Sequence, residues 1–265
     1  MLKGNTAEGY KQNSSRQRQF GRQLIQDYVN RLPGAAILDL GCGTGELSTY
    51  LAELVGQNGS VTGVDPDVDR IKVAQESHKG VKNLSFVEGS TSNFPGVGSE
   101  TYDIIYSSAV LHWVPDKKEA FENMFSSLKP AGKIVLWYND RLPTTHDRVY
   151  RELNPENLEK LLNRLHCETR PVIEEICTTA GFDILKSYDV KFGDSTHVFE
   201  NGESLCNFFW ATTHGVFDPK LVTEDRLASL CARYSSGKAG EIKLCPAEND
   251  FYSVLVAVKP AKAAE

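Results

Sequence analysis

The chain has 265 residues, 40% of them hydrophobic and 24% charged, with a formal net charge of −6 and a pI near 5.6. That length buries one substantial core with room for a small second lobe, and the acidic balance argues against a broad phosphate-binding face, hence against a nucleic-acid partner. Six cysteines without a CxxC pair, behind a polar N-terminus unlike a secretory signal, predict free thiols in a reducing cytoplasm, and no apolar run approaches the ~20 residues of a membrane span.

Residues 1–12 are polar and expected to stay loose until bound. A helix is predicted from about Asn13 to Leu32, with Phe20, Leu24, Ile25 and Tyr28 on one stripe, stopped by Pro33-Gly34. Ile37 to Leu40 reads as a buried strand, and the run to Ser48, ILDLGCGTGELS, turns through Gly41, Gly43 and Gly45 into a helix starting at about Thr44. Ser60 to Val64 is a second strand ending at Asp65, followed by a helix from Asp67 to His78. Leu84 to Val87, Asp103 to Tyr106 and Lys133 to Tyr138 are further strands, and Asp116 to Leu128 is an amphipathic helix. This alternation calls for a parallel sheet with helices on both faces. Beyond Asn139 the rhythm changes: a polar helical stretch to Arg170, a helix from Val172 to Ala180, a strand from Phe182 to Val190, and helices near Ser204–Thr212 and Thr223–Tyr234 precede a closing strand, Phe251 to Val258. A long insertion before the last strand suggests a substrate lid over residues 192–250.

The glycine loop lets a ligand approach bare backbone at a helix N-terminus. Its spacing, GxGxG, departs from the GxGxxG of nicotinamide sites, which remain the plain alternative. Asp39 ends the first strand, and Asp65 ends the second one βαβ unit later, where a carboxylate can take a ribose diol or, more blandly, cap the next helix. Together they mark a nucleoside-binding crevice.

ILDLGCGTGELS, the acid in VTGVDPD, the block YDIIYSSAVLHWVPD and the passage LKPAGKIVLW resemble class I S-adenosylmethionine methyltransferases over roughly residues 35–138. The resemblance implies an α/β, Rossmann-like, mostly parallel sheet of seven strands, the last antiparallel, with helices on both faces and a helical lid. It implies one methyltransferase domain over 1–265, with 1–34 an N-terminal helix closing on the cofactor and 35–138 the cofactor-binding core. Carried over, Asp39, Gly41 and Gly43 face the methionine end of S-adenosylmethionine, Asp65 the ribose hydroxyls and Pro66 the adenine. After Glu88-Gly89, where the family usually has an Asp for the adenine amino group, stand Ser90 and Thr91, so a hydroxyl or carbonyl would have to serve. Ser107 would line the cleft. AVLHWVPD further resembles trans-aconitate, malonyl-acyl-carrier and juvenile hormone acid carboxyl methyltransferases, and YKQNSSRQ the juvenile-hormone-acid type. That narrower likeness implies Tyr10 at the cofactor and Gln17 and Trp113 on a substrate carboxylate.

Each of these residues has a plainer reading. Trp113 could be core, Gln17 a solvated helix residue and His112 structural, although an imidazole there is also a candidate proton carrier. The only adjacent histidine and cysteine, His166 and Cys167, cannot chelate together, so no metal is expected. A carboxylate is ionised at neutral pH and needs no base, which makes a carboxyl O-methyltransferase acting on an apolar acid the first reading. Methylation of a hydroxyl, carbon or amine with His112 as base, or of arsenic with several thiols, is the second. A non-catalytic S-adenosylmethionine-binding module is the third, and a monomer or homodimer is expected.

Overall fold

The computed structural model describes residues 6–13, 15–29, 32–191, 196–238, 240–248 and 250–261. Two short helices come first, α1 (Thr6–Asn13) and α2 (Ser15–Leu24), followed by a π-helical turn, Ile25–Val29. The helix expected from about Asn13 to Leu32 is present as α2 running directly into this turn, with residues 14, 30 and 31 outside the described ones, whereas residues 6–12, expected to be loose, are helical. The cause is tertiary: α1 packs against helices later in the chain, which supplies the burial that its polar sequence lacks.

The elements that follow are β1 (Ala36–Leu40), α3 (Glu46–Val55), β2 (Ser60–Asp65), α4 (Val68–His78), β3 (Leu84–Glu88), β4 (Tyr102–Ser108), α5 (Lys117–Ser127) and β5 (Leu128–Tyr138). Then come α6 (Thr144–Leu153), α7 (Leu158–Leu162), α8 (Arg170–Thr179), β6 (Asp183–Lys191), β7 (His197–Phe199), α9 (Gly202–Thr212), α10 (Glu224–Arg233), β8 (Ile242–Leu244) and β9 (Phe251–Val258). The central sheet has the order β3-β2-β1-β4-β5-β9-β6, parallel except for β9, which runs antiparallel to both β5 and β6. This is the expected seven-stranded class I methyltransferase fold.

β1 is sealed on both faces. Leu38 and Leu40 join the core under α5 and α8, while Ile37 packs with Leu51 and Val55 of α3 and with Leu24, Ile25 and Val29 of the N-terminal segment. A strand covered on both sides is apolar throughout, so Asp39 within it is exceptional. The chain runs outward from β1 through β2 to β3, returns to β4, and then proceeds to β5. The β1/β4 boundary is the switch point where open α/β sheets leave a crevice beyond their strand ends.

Two local differences have simple causes. β5 starts at Leu128, not Lys133, because Leu128 pairs with Tyr102 across a bulge before the regular ladder resumes at Ile104 and Lys133. The lid has two sources. Val149, Tyr150, Leu153 and Leu161 from α6 and α7 share an apolar core with Leu205, Phe208 and Phe209 of α9, Phe217, Leu230 of α10, and Ile242 and Leu244 of β8. The described residues of the expected insertion at 192–250, which leave out 192–195, 239 and 249, thus form one body with 144–162. The small β7-β8 ribbon inside it was not anticipated.

Candidate functional site

The crevice opens at the C-terminal ends of β1, β2 and β4. Gly41, with φ +82°, passes so close to Val110 that a Cβ there would lie 2.1 Å from Val110 Cγ2, and a Cβ on Gly43 would lie 2.9 Å from the ring of Tyr10. Only glycine allows that backbone and that approach. α3 begins at Glu46 behind Gly45, with no side chain capping its first N–H groups, so its N-terminus is open to a ligand.

Asp65 is buried. Its Oδ2 accepts the Gly43 N–H at 2.9 Å and its Oδ1 the Asp67 N–H at 2.9 Å. The capping role belongs to Asp67, whose side chain accepts the Asp69 and Arg70 N–H groups at the start of α4. Burial raises the Asp65 pKa, and the neighbouring Arg70 guanidinium is the main influence pulling it back. Asp39 accepts from Ser48 Oγ at 2.5 Å, yet burial still pushes it up to about 7. A buried carboxyl with one hydroxyl donor is a natural counter-charge for a ligand cation.

A cavity of about 260 Å³ runs from this crevice under the lid. Of the residues expected at the site, Tyr10, Gln17, Gly41, Asp65, Pro66, His112 and Trp113 line it. Asp39 lines an adjoining recess of about 20 Å³ together with Tyr10, Gln17 and Gly41. Gly43 lies beneath Tyr10. Ser90, Thr91 and Ser107 are not among the lining residues. Ser107 Oγ donates to Leu40 O at 2.7 Å and stitches β4 to β1. Ser90 bonds Asn93 across a turn, and Thr91 O accepts from Asn123. At the end of β4 it is Ser108 that faces the cavity, accepting the Trp137 Nε1–H at 2.7 Å.

The acceptor end is walled by Leu142, Leu161, Leu165, Phe199 and Phe208, with His146 and His214 among them. His112 Nδ1 accepts the backbone N–H of Asn139 at 3.3 Å. A backbone nitrogen can only donate, so the imidazole proton sits on Nε2. Burial holds His112 neutral, with a pKa of about 3, and does the same to His146 at about 4 and His214 at about 3. His214 stacks edge-on against Trp113 at 4.9 Å between centroids. Gln17 Oε1, Asn139 Oδ1 and His146 Nδ1 are buried with no hydrogen-bond partner among the described residues, and all three side chains line the cavity. Orphaned polar atoms around an open volume mark a place built for a polar ligand.

Arg70, Asn139, His146 and His214 escaped the sequence reading, and Ser108, beside Ser107, reads from sequence only as an ordinary strand-end residue. No motif joins them, and chain separations of up to more than a hundred residues are closed only by the fold. The one usable signal was Asn139, just past the fifth strand, where switch-point ligands gather.

The glycine cradle, the uncapped helix and the acids at two strand ends fit a nucleoside carrying an amino-acid tail. A family described as a methyltransferase domain matches residues 32–188, more than half the chain. Arsenite methyltransferase of Mus musculus is 35% identical over 120 residues, covering 42% of this chain and 31% of that protein. Trans-aconitate 2-methyltransferase of Deinococcus radiodurans is 30% identical over 129 residues, covering 49% and 46%. These matches therefore span about a third to a half of the relatives' own length. Phosphoethanolamine N-methyltransferase 2 of Haemonchus contortus, solved with phosphomonomethylethanolamine and S-adenosylhomocysteine, superposes with a TM-score of 0.62 at 16% identity, covering 96% of this chain and 57% of that one. At that identity the likeness speaks to the fold alone. The matched family and the sheet order agree: the chain belongs to the methyltransferase-domain family, has the class I fold, and uses S-adenosylmethionine.

Proposed function

We propose that the protein methylates a carboxylate oxygen of an apolar small-molecule acid held under the lid, releasing a methyl ester. S-adenosylmethionine, when bound, supplies an electrophilic methyl group on a sulfonium. In this reading Asp65, Pro66 and Tyr10 hold its nucleoside half, and Asp39, Gly41 and Gly43 its methionine half. Ser90, Thr91 and Ser107, whose polar atoms are engaged in turns and strand stitching, stay outside the assignment. The single unit 1–265, with residues 1–34 and the lid closing over the crevice in a cytoplasmic enzyme, completes the proposal.

The observation that carries it is the Asn139 N–H on His112 Nδ1. With Nδ1 occupied and the ring held neutral, His112 offers an Nε2–H to the cavity and is a donor, not a base. A carboxylate, ionised above a pKa of ~4, needs donors and no base. Gln17, Trp113 and His112 are neutral donors that orient the oxygen without over-stabilising its ground state, and the apolar walls exclude water, which favours cancellation of opposite charges. Arsenic chemistry calls for converging thiols, and among the described residues Cys167 is the one cysteine lining the cavity, its thiol pushed by burial up to about 11. A hydroxyl acceptor is the second reading, favoured by the unpartnered Nδ1 of His146, although a pKa of about 4 makes it a weak base.

The test is methyl transfer from labelled donor over short, medium and isoprenoid acids, with hydroxyl and arsenite controls. For the preferred acid, kcat at saturating donor should stay flat between about pH 6 and 8. Gln17→Ala and Trp113→Ala should each lower kcat/KM about a hundredfold through misplacement of the acid, with S-adenosylhomocysteine affinity kept. A rate that rises with pH and disappears in His146→Asn would replace the carboxylate by a hydroxyl.

A further inference from the structure

Arg70 occupies the first turn of α4, five residues beyond Asp65, and is only 5% exposed. A buried guanidinium is costly unless it is engaged, and this one is met by the N-cap of its own helix and by two separate elements, α1 and α9. Its Nε faces Asp67 Oδ2 at 3.5 Å as an ion pair, without a hydrogen bond among the described residues. Its plane lies over the ring of Tyr10 from α1, 4.1 Å from the centroid. Its Nη2 donates at 3.1 Å to Ala211 O in the last turn of α9.

That last contact crosses the molecule from the cofactor side to the lid. The final carbonyls of a helix have no partner within it and carry the negative end of its dipole. At the end of α9, Phe209 O accepts the Thr213 N–H and Trp210 O the Gly215 N–H, whereas Ala211 O is taken by Arg70. Three residues on, His214 adopts φ +50° and stacks on Trp113. α1 packs against both α4 and α9, with Gly9 so near the lid helix that a Cβ there would lie 3.4 Å from Ala211 Cβ. Arg70 thus touches the loop that presents Asp65, the ring that covers Gly43, and the helix end that sets the wall of the acceptor cavity.

We propose that Arg70 is a positioning residue that couples occupancy of the cofactor crevice to closure of the lid helix over the acceptor cavity. A ligand engaging Asp65 and Tyr10 steadies both surfaces against which the guanidinium lies, and with them its aim at Ala211 O. The lid helix end, and through His214 the Trp113 indole, then takes its place only over a filled crevice. The coupling is reciprocal: whatever favours the closed lid tightens the crevice by the same factor. Arg70 is also the main influence favouring the ionised form of Asp65. Loss of its charge and loss of its reach therefore have different consequences.

Hydrogen exchange with and without S-adenosylhomocysteine separates them. In the parent, the ligand should slow exchange both in the glycine loop, residues 41–47, and at the lid helix, residues 205–215. Arg70→Lys keeps a buried cation beside Asp65 but not the fork that spans to α9. It should keep slowing in residues 41–47, lose most of it in 205–215, and, by the same reciprocity, bind S-adenosylhomocysteine at least about fivefold more weakly than the parent. Arg70→Met should lose the lid response and bind at least about fivefold more weakly than Arg70→Lys, because Asp65 then also loses its neighbouring cation. A purely structural role would speed exchange in both ligand states alike. Residues 205–215 that slow equally in Arg70→Lys and parent, or that do not respond to ligand in the parent, would overturn the proposal; Arg70→Lys decides the matter even if Arg70→Met fails to fold.

Discussion

At the scale of the residue, Asp39 carries the strongest consequence. It is a carboxyl inside a fully covered strand, 1% exposed, with a folded pKa of about 7 against 3.8 for the free group. A raised carboxyl binds its proton more tightly in the fold, so it costs stability as pH rises from about 4 to 7 and costs nothing below about 4. Asp39→Asn, which retains an acceptor for Ser48, should therefore be more stable than the parent at pH 8, by at most about 4 kcal/mol, and equal to it at pH 4. Denaturant melts at the two pH values read this directly; an advantage that persists at pH 4 would have another origin. The same titration acts on ligands. If the ionised form faces the cationic end of S-adenosylhomocysteine, calorimetry should show affinity falling as pH drops below about 7 in the parent and staying level in Asp39→Asn. Asp39 was legible in the sequence because a lone acid in an apolar strand before three glycines has few structural uses. His112 was legible only as a candidate. Its tautomer comes from the Asn139 N–H at 3.3 Å, a contact between two strand ends that no spacing announces.

At the scale of the element, the lid has its own apolar core, distinct from the two cores flanking the sheet. Phe217 is fully buried there and packs edge-on against Tyr150 at 5.4 Å, away from the cavity lining. Phe217→Ala should cost the lid about 3–5 kcal/mol through lost burial and the cavity left behind. Limited proteolysis should then cut within residues 202–233 while the fragment carrying β1 to β5 survives, and methyl transfer should fall. Equal loss of both parts would mean that lid and sheet unfold as one unit. The strand and helix alternation up to Tyr138 was readable because each element buries a face at its own period. α1 was not, since Thr6–Asn13 shows no amphipathic pattern and is helical through its contacts with α4 and α9.

At the scale of the whole molecule, buried neutral imidazoles set the response to acid. His112, His146 and His214 have folded pKa values of about 3, 4 and 3, each depressed chiefly by burial, against 6.5 when free. A depressed histidine contributes stability that is complete above about pH 6.5 and is lost as pH falls toward the folded value. The raised carboxyls of Asp39 and Asp65 act in the opposite sense. Near pH 5.5, unfolding takes up about three protons on the histidines and releases about one from Asp39, with any release from Asp65 adding to it in the same direction. The net uptake is one to two, so stability should fall by about 1.4 to 2.7 kcal/mol per pH unit on acidification. Urea melts from pH 7 to 5 measure the slope, and His146→Phe should reduce it by about one proton. A slope of zero or opposite sign would show that the imidazoles are not held neutral in the fold.

The family resemblance of its motifs implied the seven-stranded sheet and the use of S-adenosylmethionine; by itself the sequence determined the alternation of strand and helix, the glycine cradle and the acids at the ends of β1 and β2. These rest on local rules: hydrophobic period, the backbone angles that only glycine adopts freely, and a carboxylate's need for a partner where a strand ends. Tertiary structure alone decided which side chains meet under the lid. Ser108 rather than Ser107 faces the cavity because β4 alternates its faces and Ser107 is spent on Leu40. His146, His214 and Arg70 converge from three distant elements because α6 and α9 share one apolar core and the end of α9 lies within reach of α4. Such convergence depends on how finished elements pack, and packing is a property of surfaces far apart in the chain.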